Sequence, residues 1–170
     1  MIDYIEFVKQ YTFLKKSKLL FILAGGGTEF SKLLAIPGAS NIISGISCCY
    51  DEDARWDVFE DLMDEPVSIV SREWVKWAFN MSILKNLVYE DNELPYSKRD
   101  IVIVSSAYPT IRERRGDNKA WIMMNSYVDP KLITFPKEVP TDRISADTLI
   151  HLRTKYERLV VKQVFSDLMV

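Results

Sequence analysis

Three consecutive glycines, Gly25 to Gly27, directly follow a short apolar run and precede Thr28. A strand that passes through such a turn into a helix points backbone N–H groups at one spot, which suits a phosphate or a carboxylate. Glycine allows a positive φ there and lets a ligand approach the backbone closely. The run is neither G-x-G-x-x-G nor a Walker loop, because Gly27 is followed by Thr28 and Glu29. The alternative is a tight turn that needs glycine only for packing.

Further polar residues follow the predicted strands. Tyr50 ends the second strand and could contact a ligand, although tyrosines at such places also serve in packing. Ser105 ends the third strand, and open α/β sheets bind ligands at the carboxyl ends of their strands. A basic segment carries Arg112, Arg114 and Arg115, which would attract an anion or form a solvated surface.

Few side chains of this sequence are suited to nucleophilic or metal chemistry. Thr28 and Ser31 carry hydroxyls, but a hydroxyl needs an adjacent base to react near neutral pH, and we expect Thr28 to be a helix N-cap. Cys48 and Cys49 are neighbours in a predicted strand, so their side chains should point to opposite faces and stay reduced. With His151 as the single histidine, no metal-ligand spacing exists, and we expect neither a metal nor a cofactor.

The stretch from Leu23 to Arg55 resembles the C-terminal domain of the CinA family, the nicotinamide mononucleotide deamidases. That family carries Ser-Cys-Thr-Gly-Gly, a short helix, Val-Pro-Gly-Ala-Ser, a strand, and Tyr-Ser-Asn-x-x-Lys. Here Gly26 and Gly27 fall at the glycine pair, residues 36–40 match the second block, and residues 50–55 fall at the third. The resemblance covers most of the chain more loosely.

The resemblance implies that two catalytic positions have changed. The family's nucleophilic serine falls on Leu23, and its lysine base falls on Arg55. An arginine stays protonated in proteins, so it can bind phosphate but cannot accept a proton. Its alternative role is an ion pair with Asp51 or Glu52 one turn back on an acidic helix. The resemblance also implies that small hydroxyl residues such as Ser105 approach the substrate.

Three functional hypotheses follow from these residues. The first is a CinA-like pocket protein that binds nicotinamide mononucleotide or a related small phosphorylated nucleotide, with deamidase chemistry lost or altered. The second is an active amidohydrolase with a substituted nucleophile, and the third is a non-enzymatic regulatory or interaction protein with a vestigial pocket. The predicted ligand contacts are Gly25, Gly26, Gly27, Thr28, Tyr50, Arg55, Ser105, Arg112, Arg114 and Arg115.

Hydrophobic periodicity predicts the elements that must position these residues. Strands are predicted at 18–23, 42–50, 101–105, 119–127 and 132–135, and helices at 2–14, 28–35, 51–63, 71–87 and 145–169. Strands that alternate with helices and end in a hairpin predict an α/β fold, a three-layer α/β/α sandwich around a mixed sheet. We expect one domain over residues 1–170.

The composition and net charge of the chain argue against some functional classes. The chain has 170 residues, 48% of them hydrophobic and 27% charged, as in an ordinary globular protein. A net charge of −2 argues against general nucleic-acid binding. No apolar run approaches membrane-spanning length and no signal peptide is visible, so we expect no membrane partner and a cytoplasmic location. The resemblance and the aromatic content (four Trp, eight Tyr and eight Phe) predict a homodimer.

Overall fold

The structure is a computed structural model that describes residues 1–14, 17–90, 100–108, 119–135 and 145–170. Its α-helices are α1 (Tyr4–Leu14), α2 (Thr28–Ser31), α3 (Glu52–Phe59), α4 (Arg72–Glu90) and α5 (Ala146–Leu168). Its strands are β1 (Leu19–Leu23), β2 (Ile43–Cys48), β3 (Ile101–Ser105), β4 (Lys119–Met124) and β5 (Lys131–Thr134). Short 3₁₀ turns cover Lys32–Ala35 and Ala39–Asn41.

The five strands form one mixed sheet in the order β2-β1-β3-β4-β5. Strand β1 is parallel to both of its neighbours, β2 and β3. Strand β4 is antiparallel to β3 and to β5, so the predicted hairpin is confirmed. The chain leaves β1 toward β2 on one side and later returns as β3 on the other side.

Successive side chains of β1 point to opposite faces of the sheet, and each face is covered by a different layer of helices. Leu19, Phe21 and Leu23 lie in one hydrophobic cluster with residues of α1 and α5. Ile22, on the opposite face, lies in a second cluster with residues of α3 and α4, among them the fully buried Trp74. The predicted α/β/α sandwich with a mixed sheet is therefore confirmed. Within the described ranges, none of the helices is both long and apolar enough to cross a membrane.

Side-chain caps define where three helices begin. The Asp51 carboxylate accepts the N–H of Ala54 at the start of α3. The Ser71 hydroxyl accepts the N–H of Trp74 at the start of α4. Ser145 caps α5 in the same way. Each cap satisfies an N–H group that has no partner inside its helix.

The helix predicted over 28–35 is shorter than expected. It makes one α-turn, continues as 3₁₀ to Ala35, and ends at Ile36, which is extended with φ −84° and ψ 129°. The residue before a proline is pushed out of the helical region, and Pro37 follows directly. The proline therefore limits this helix to a short segment behind the glycine loop.

Candidate functional site

The carboxyl ends of three strands meet beside the glycine loop. Leu23, the last residue of β1, pairs with Cys48 on β2 and with Ser105 on β3. Parallel neighbours on both sides make this edge the point where the strand order reverses, where open α/β sheets bind their ligands. The topology thus brings Ser105 to the edge of the sheet that carries the glycines.

The glycine loop has the backbone that its sequence predicts. Gly26 has a φ of 70° and Gly27 a φ of 108°, both in the left-handed region that favours glycine. A Cβ on Gly25 would lie 3.0 Å from the Cα of Ala107. The expected cap at Thr28 is wrong, because Gly27 is the N-cap and Thr28 is the first helical residue. The cap position therefore carries no side chain that could satisfy the free N–H groups.

A carboxylate from α5 takes the place of that missing cap. Oε1 of Glu157 accepts the N–H groups of Gly27, Glu29 and Phe30 at 2.9, 2.8 and 3.3 Å. Glu157 is only 2% exposed. The loop is therefore a formed anion position, and the anion that fills it is the protein's own.

Two buried carboxylates lie side by side at this loop, in different electrostatic settings. Burial raises the pKa of Glu157, the three backbone N–H groups oppose that rise, and the charge of Glu29 adds to it. Burial also raises the pKa of Glu29. Its hydrogen bonds to Lys32 and Tyr4 and the charge of Arg158 outweigh that effect, so that its pKa lies below the usual value. Both cations thus neutralise Glu29, while Glu157 is held by backbone dipoles.

Tyr108 places a buried phenol beside the same carboxylate. The residue is 5% exposed, and its hydroxyl has no hydrogen-bond partner in the described part of the chain. Its Cε2 and the Oε2 of Glu157 each lie 2.9 Å from the position that a Cβ on Gly26 would take. Burial and the charge of Glu157 raise the pKa of Tyr108, so the phenol keeps its proton. Its ring edge lies against the loop, and its hydroxyl lies near the Ser105 side chain.

The two remaining strand-end residues differ in exposure. Ser105 is fully buried, and its hydroxyl donates to the carbonyl of Ser106 at 3.2 Å. Tyr50 is 63% exposed, with its ring open to solvent. Ser105 is therefore buried at the end of β3, whereas Tyr50 lies on the surface just beyond the end of β2.

Arg55 is committed to a partner that the sequence did not indicate. Its Nε forms an ion pair with Glu65, and Nη1 donates to the carbonyl of Tyr50 at 3.2 Å. The same Glu65 oxygen accepts the indole N–H of Trp74 at 3.0 Å. The alternative of a pairing with Asp51 or Glu52 one turn back is therefore wrong, because the ion pair of Arg55 instead connects α3 to the segment that precedes α4.

Neither Leu23, which the resemblance places at the nucleophile position, nor the two cysteines offers a reactive group. Leu23 is 1% exposed and packed in the core. The predicted opposite faces of the two cysteines are confirmed, since Cys48 is exposed and Cys49 buried. Burial, and then the charge of Glu157, raise the pKa of the Cys48 thiol, while burial raises the pKa of Cys49 to about 12. A protonated thiol is a poor nucleophile.

Sequence reasoning missed Glu157, although a signal for it existed. Glu157 lies between Tyr156 and Val160 on the buried side of α5, where an acidic residue needs hydrogen-bond donors. Arg153, four residues earlier on the same helix face, also buries an Nε that lacks a partner among the described residues. The remaining predicted contacts, Arg112, Arg114 and Arg115, lie outside the described residues. In the described ranges, no cluster of His, Cys, Asp or Glu could hold a metal ion.

No protein-family model matches the chain, and no curated protein matches it significantly. Solved structures do. A CinA superfamily protein from Klebsiella pneumoniae is similar with a TM-score of 0.59 at 14% identity, over 99% of this chain and 96% of that one. The competence/damage-inducible protein CihA from Agrobacterium tumefaciens gives 0.54 at 14% identity, over 95% and 96%. The competence damage-inducible protein A (ComA) from Klebsiella pneumoniae subsp. pneumoniae gives 0.56 at 17% identity, over 99% and 96%.

These similarities establish a CinA-like fold along nearly the whole chain. At such low identity they describe the backbone arrangement alone. Any function of this chain must therefore be inferred from its own residues at the glycine loop.

Proposed function

We propose that this protein is a CinA-like nucleotide-pocket protein that binds nicotinamide mononucleotide or a related small phosphorylated nucleotide, with deamidase chemistry lost or altered. The observation that carries the proposal is the convergence of three backbone N–H groups on one oxygen at the strand-order reversal of the sheet. Such a cluster of donors stabilises an oxyanion of any origin. A phosphate is the ligand anion that best fits it.

The loss of chemistry follows from the two catalytic positions. Hydrolysis of a carboxamide needs a nucleophile for the carbonyl carbon and a group that takes up the nucleophile's proton. Leu23 supplies no nucleophilic atom, and Arg55 stays protonated and paired with Glu65. Loss of members of a catalytic unit costs several orders of magnitude in rate.

The binding arrangement keeps the predicted contacts. The phosphate lies at Gly25, Gly26, Gly27 and Thr28, in the position that the Glu157 carboxylate holds. Tyr50 is exposed and contacts the remainder of the ligand, whereas the buried Ser105 must become accessible to do so. The basic segment with Arg112, Arg114 and Arg115 supplies positive charge, or Arg55 does so while it keeps its pair with Glu65. Arg153 is a further source of positive charge, because its Nε is buried without a partner within the described ranges.

Calorimetric titration with nicotinamide mononucleotide and with its dephosphorylated nucleoside tests the proposal. Wild type should prefer the phosphorylated form at least tenfold, because a charge-assisted hydrogen bond contributes about 1.5–3 kcal/mol. Gly26→Val should abolish that preference, since its side chain would meet Glu157 and Tyr108 and resist a φ of 70°. Gly45→Ala, in β2 with ordinary contacts to Leu20, is the control and should bind as wild type does.

One observation favours a second candidate, a non-enzymatic regulatory or interaction protein with a vestigial pocket. Glu157 already satisfies the N–H groups that a phosphate would use. If Glu157 never leaves the loop, its hydrogen bonds serve only to hold α5 against α2. Equal or absent binding of the two nucleotide forms by wild type would favour this candidate over the first.

A further inference from the structure

We infer that Glu157 is a built-in competitor for the anion position of the glycine loop, so that an external phosphate binds there only after the Glu157 carboxylate has left. The identity of the nucleotide rests on the proposed function, but competition with inorganic phosphate does not. The inference assigns to this chain a contact that lowers the affinity of its own site.

The first observation is how Glu157 is held. Its Oε1 collects three backbone N–H groups at 2.8–3.3 Å, which leaves an incoming anion none of those donors. The nearby cations Lys32 and Arg158 pair with Glu29 instead. Glu157 is thus bound by the same groups that would bind a ligand, and the two occupants exclude each other.

The second observation is independent of the loop and concerns Tyr108. Its phenol is a buried donor without a partner among the described residues, and its ring edge lies beside Glu157 and Gly26. A buried donor without an acceptor is unfavourable. A phosphate carries acceptor oxygens beyond the one that would replace Oε1 of Glu157, and the inference includes that one of them accepts a hydrogen bond from the phenol.

The inference requires that Glu157 leaves the loop by rotation of its side chain while α5 stays in place. The neighbouring positions Tyr156, Val160 and Val161 are buried in the core and hold the helix in place. Gly26 is exposed and borders the second carboxylate oxygen, so solvent reaches the loop backbone at that point. The exposed side of the loop at Gly26 is therefore the direction in which we expect the carboxylate to leave.

The test is calorimetric titration of inorganic phosphate into wild type, Glu157→Ala and Asp147→Ala. Asp147 is an exposed acid in the first turn of the same helix, so its variant controls for the loss of one negative charge. Phosphate should bind Glu157→Ala at least tenfold more tightly than either wild type or Asp147→Ala. Equal affinities across the three proteins would overturn the inference.

Glu157→Gln keeps the test valid if the alanine variant fails to fold. The amide retains an acceptor oxygen for the three N–H groups but is a weaker acceptor than a carboxylate. Phosphate should therefore bind this variant at least threefold more tightly than wild type. An unchanged or lower affinity would contradict a competing role for Glu157.

Titrations with nicotinamide mononucleotide and its dephosphorylated nucleoside separate this inference from the proposed function. Glu157→Ala could bind phosphate tightly and yet not distinguish the two nucleotide forms. That result would support Glu157 as a competitor and would contradict the proposed function. If wild type and Glu157→Ala bind nicotinamide mononucleotide equally, with the same preference over the nucleoside, the proposed function stands and the competitor is wrong.

Discussion

The missing side chain of Gly26 separates the loop backbone from two neighbours. A Cβ there would stand 2.9 Å from both Glu157 Oε2 and Tyr108 Cε2, on a backbone with a φ of 70°. A non-glycine residue in the left-handed region costs about 1–2 kcal/mol before any clash is counted. The glycine is therefore required by conformation and by space together.

Replacing Gly26 by alanine should lower the free energy of unfolding by about 1–3 kcal/mol. Gly45→Ala should change it by less than about 1 kcal/mol, because its Cβ would meet Leu20 at an ordinary 3.4 Å. Urea denaturation of the two variants and wild type measures the difference. Equal effects of the two substitutions would contradict the required positive φ.

The sequence predicted the loop but not its occupant, for a physical reason. Positive φ at consecutive glycines after an apolar strand is a local property, and a local pattern can indicate it. Glu157 is 130 residues away from Gly27 along the chain, and only packing of α5 against α2 brings them together. Arg55 illustrates the same limit, because its partner Glu65 lies beyond the helix on which the pairing was expected.

Helix α5 carries Glu157 and is also fixed to the β4–β5 hairpin through Asp167. The Asp167 carboxylate accepts bonds from Tyr127, Lys131 and Gln163. Burial alone would raise the pKa of Asp167, but these bonds and the charge of Lys131 hold it below the usual value. The carboxylate thus stabilises the orientation of the helix that closes the loop.

Asp167→Asn should lower the free energy of unfolding by about 1–3 kcal/mol at neutral pH. Because its folded-state pKa is lowered, the contribution of Asp167 is complete above the ordinary value of 3.8 and is lost as the pH falls through the lower folded value. Asp129→Asn, which breaks an exposed pair with Arg72, should cost less than about 1 kcal/mol. Denaturation of both variants and wild type between acidic and neutral pH measures the two losses of stability. It also shows whether the contribution of Asp167 decreases as the pH falls.

The elements themselves follow largely from local signals. The third strand lies at Ile101–Ser105, as its apolar run predicts, and Ser71 and Ser145 cap the helices that they precede. Residues 28–35 follow the helical period only in part, because Pro37 and the glycine cap restrict the backbone from both ends. The hydrophobic period of a sequence does not by itself indicate how a proline or a glycine at either end limits a helix.

At the scale of the whole molecule, the homodimer predicted from the family resemblance and the aromatic content would need an exposed apolar surface. Tyr50 and Trp56 are both exposed within one short segment at the start of α3. Light scattering should give twice the chain mass of 19.7 kDa, and Trp56→Glu should reduce it to that of one chain. Phe13→Glu on α1, which replaces an aromatic residue that is 89% exposed compared with 54% for Trp56, is the control and should remain dimeric. A monomeric wild type at micromolar concentration would contradict the prediction.

Our central proposal is that this CinA-like fold binds a small phosphorylated nucleotide and does not hydrolyse its carboxamide. Nuclear magnetic resonance of nicotinamide mononucleotide mixed with wild-type protein tests both parts in one sample. The account predicts that the phosphate resonance broadens or shifts on binding, and that no ammonia and no deamidated product form over extended incubation. Unchanged resonances, or steady conversion of the carboxamide to the carboxylate with release of ammonia, would contradict it.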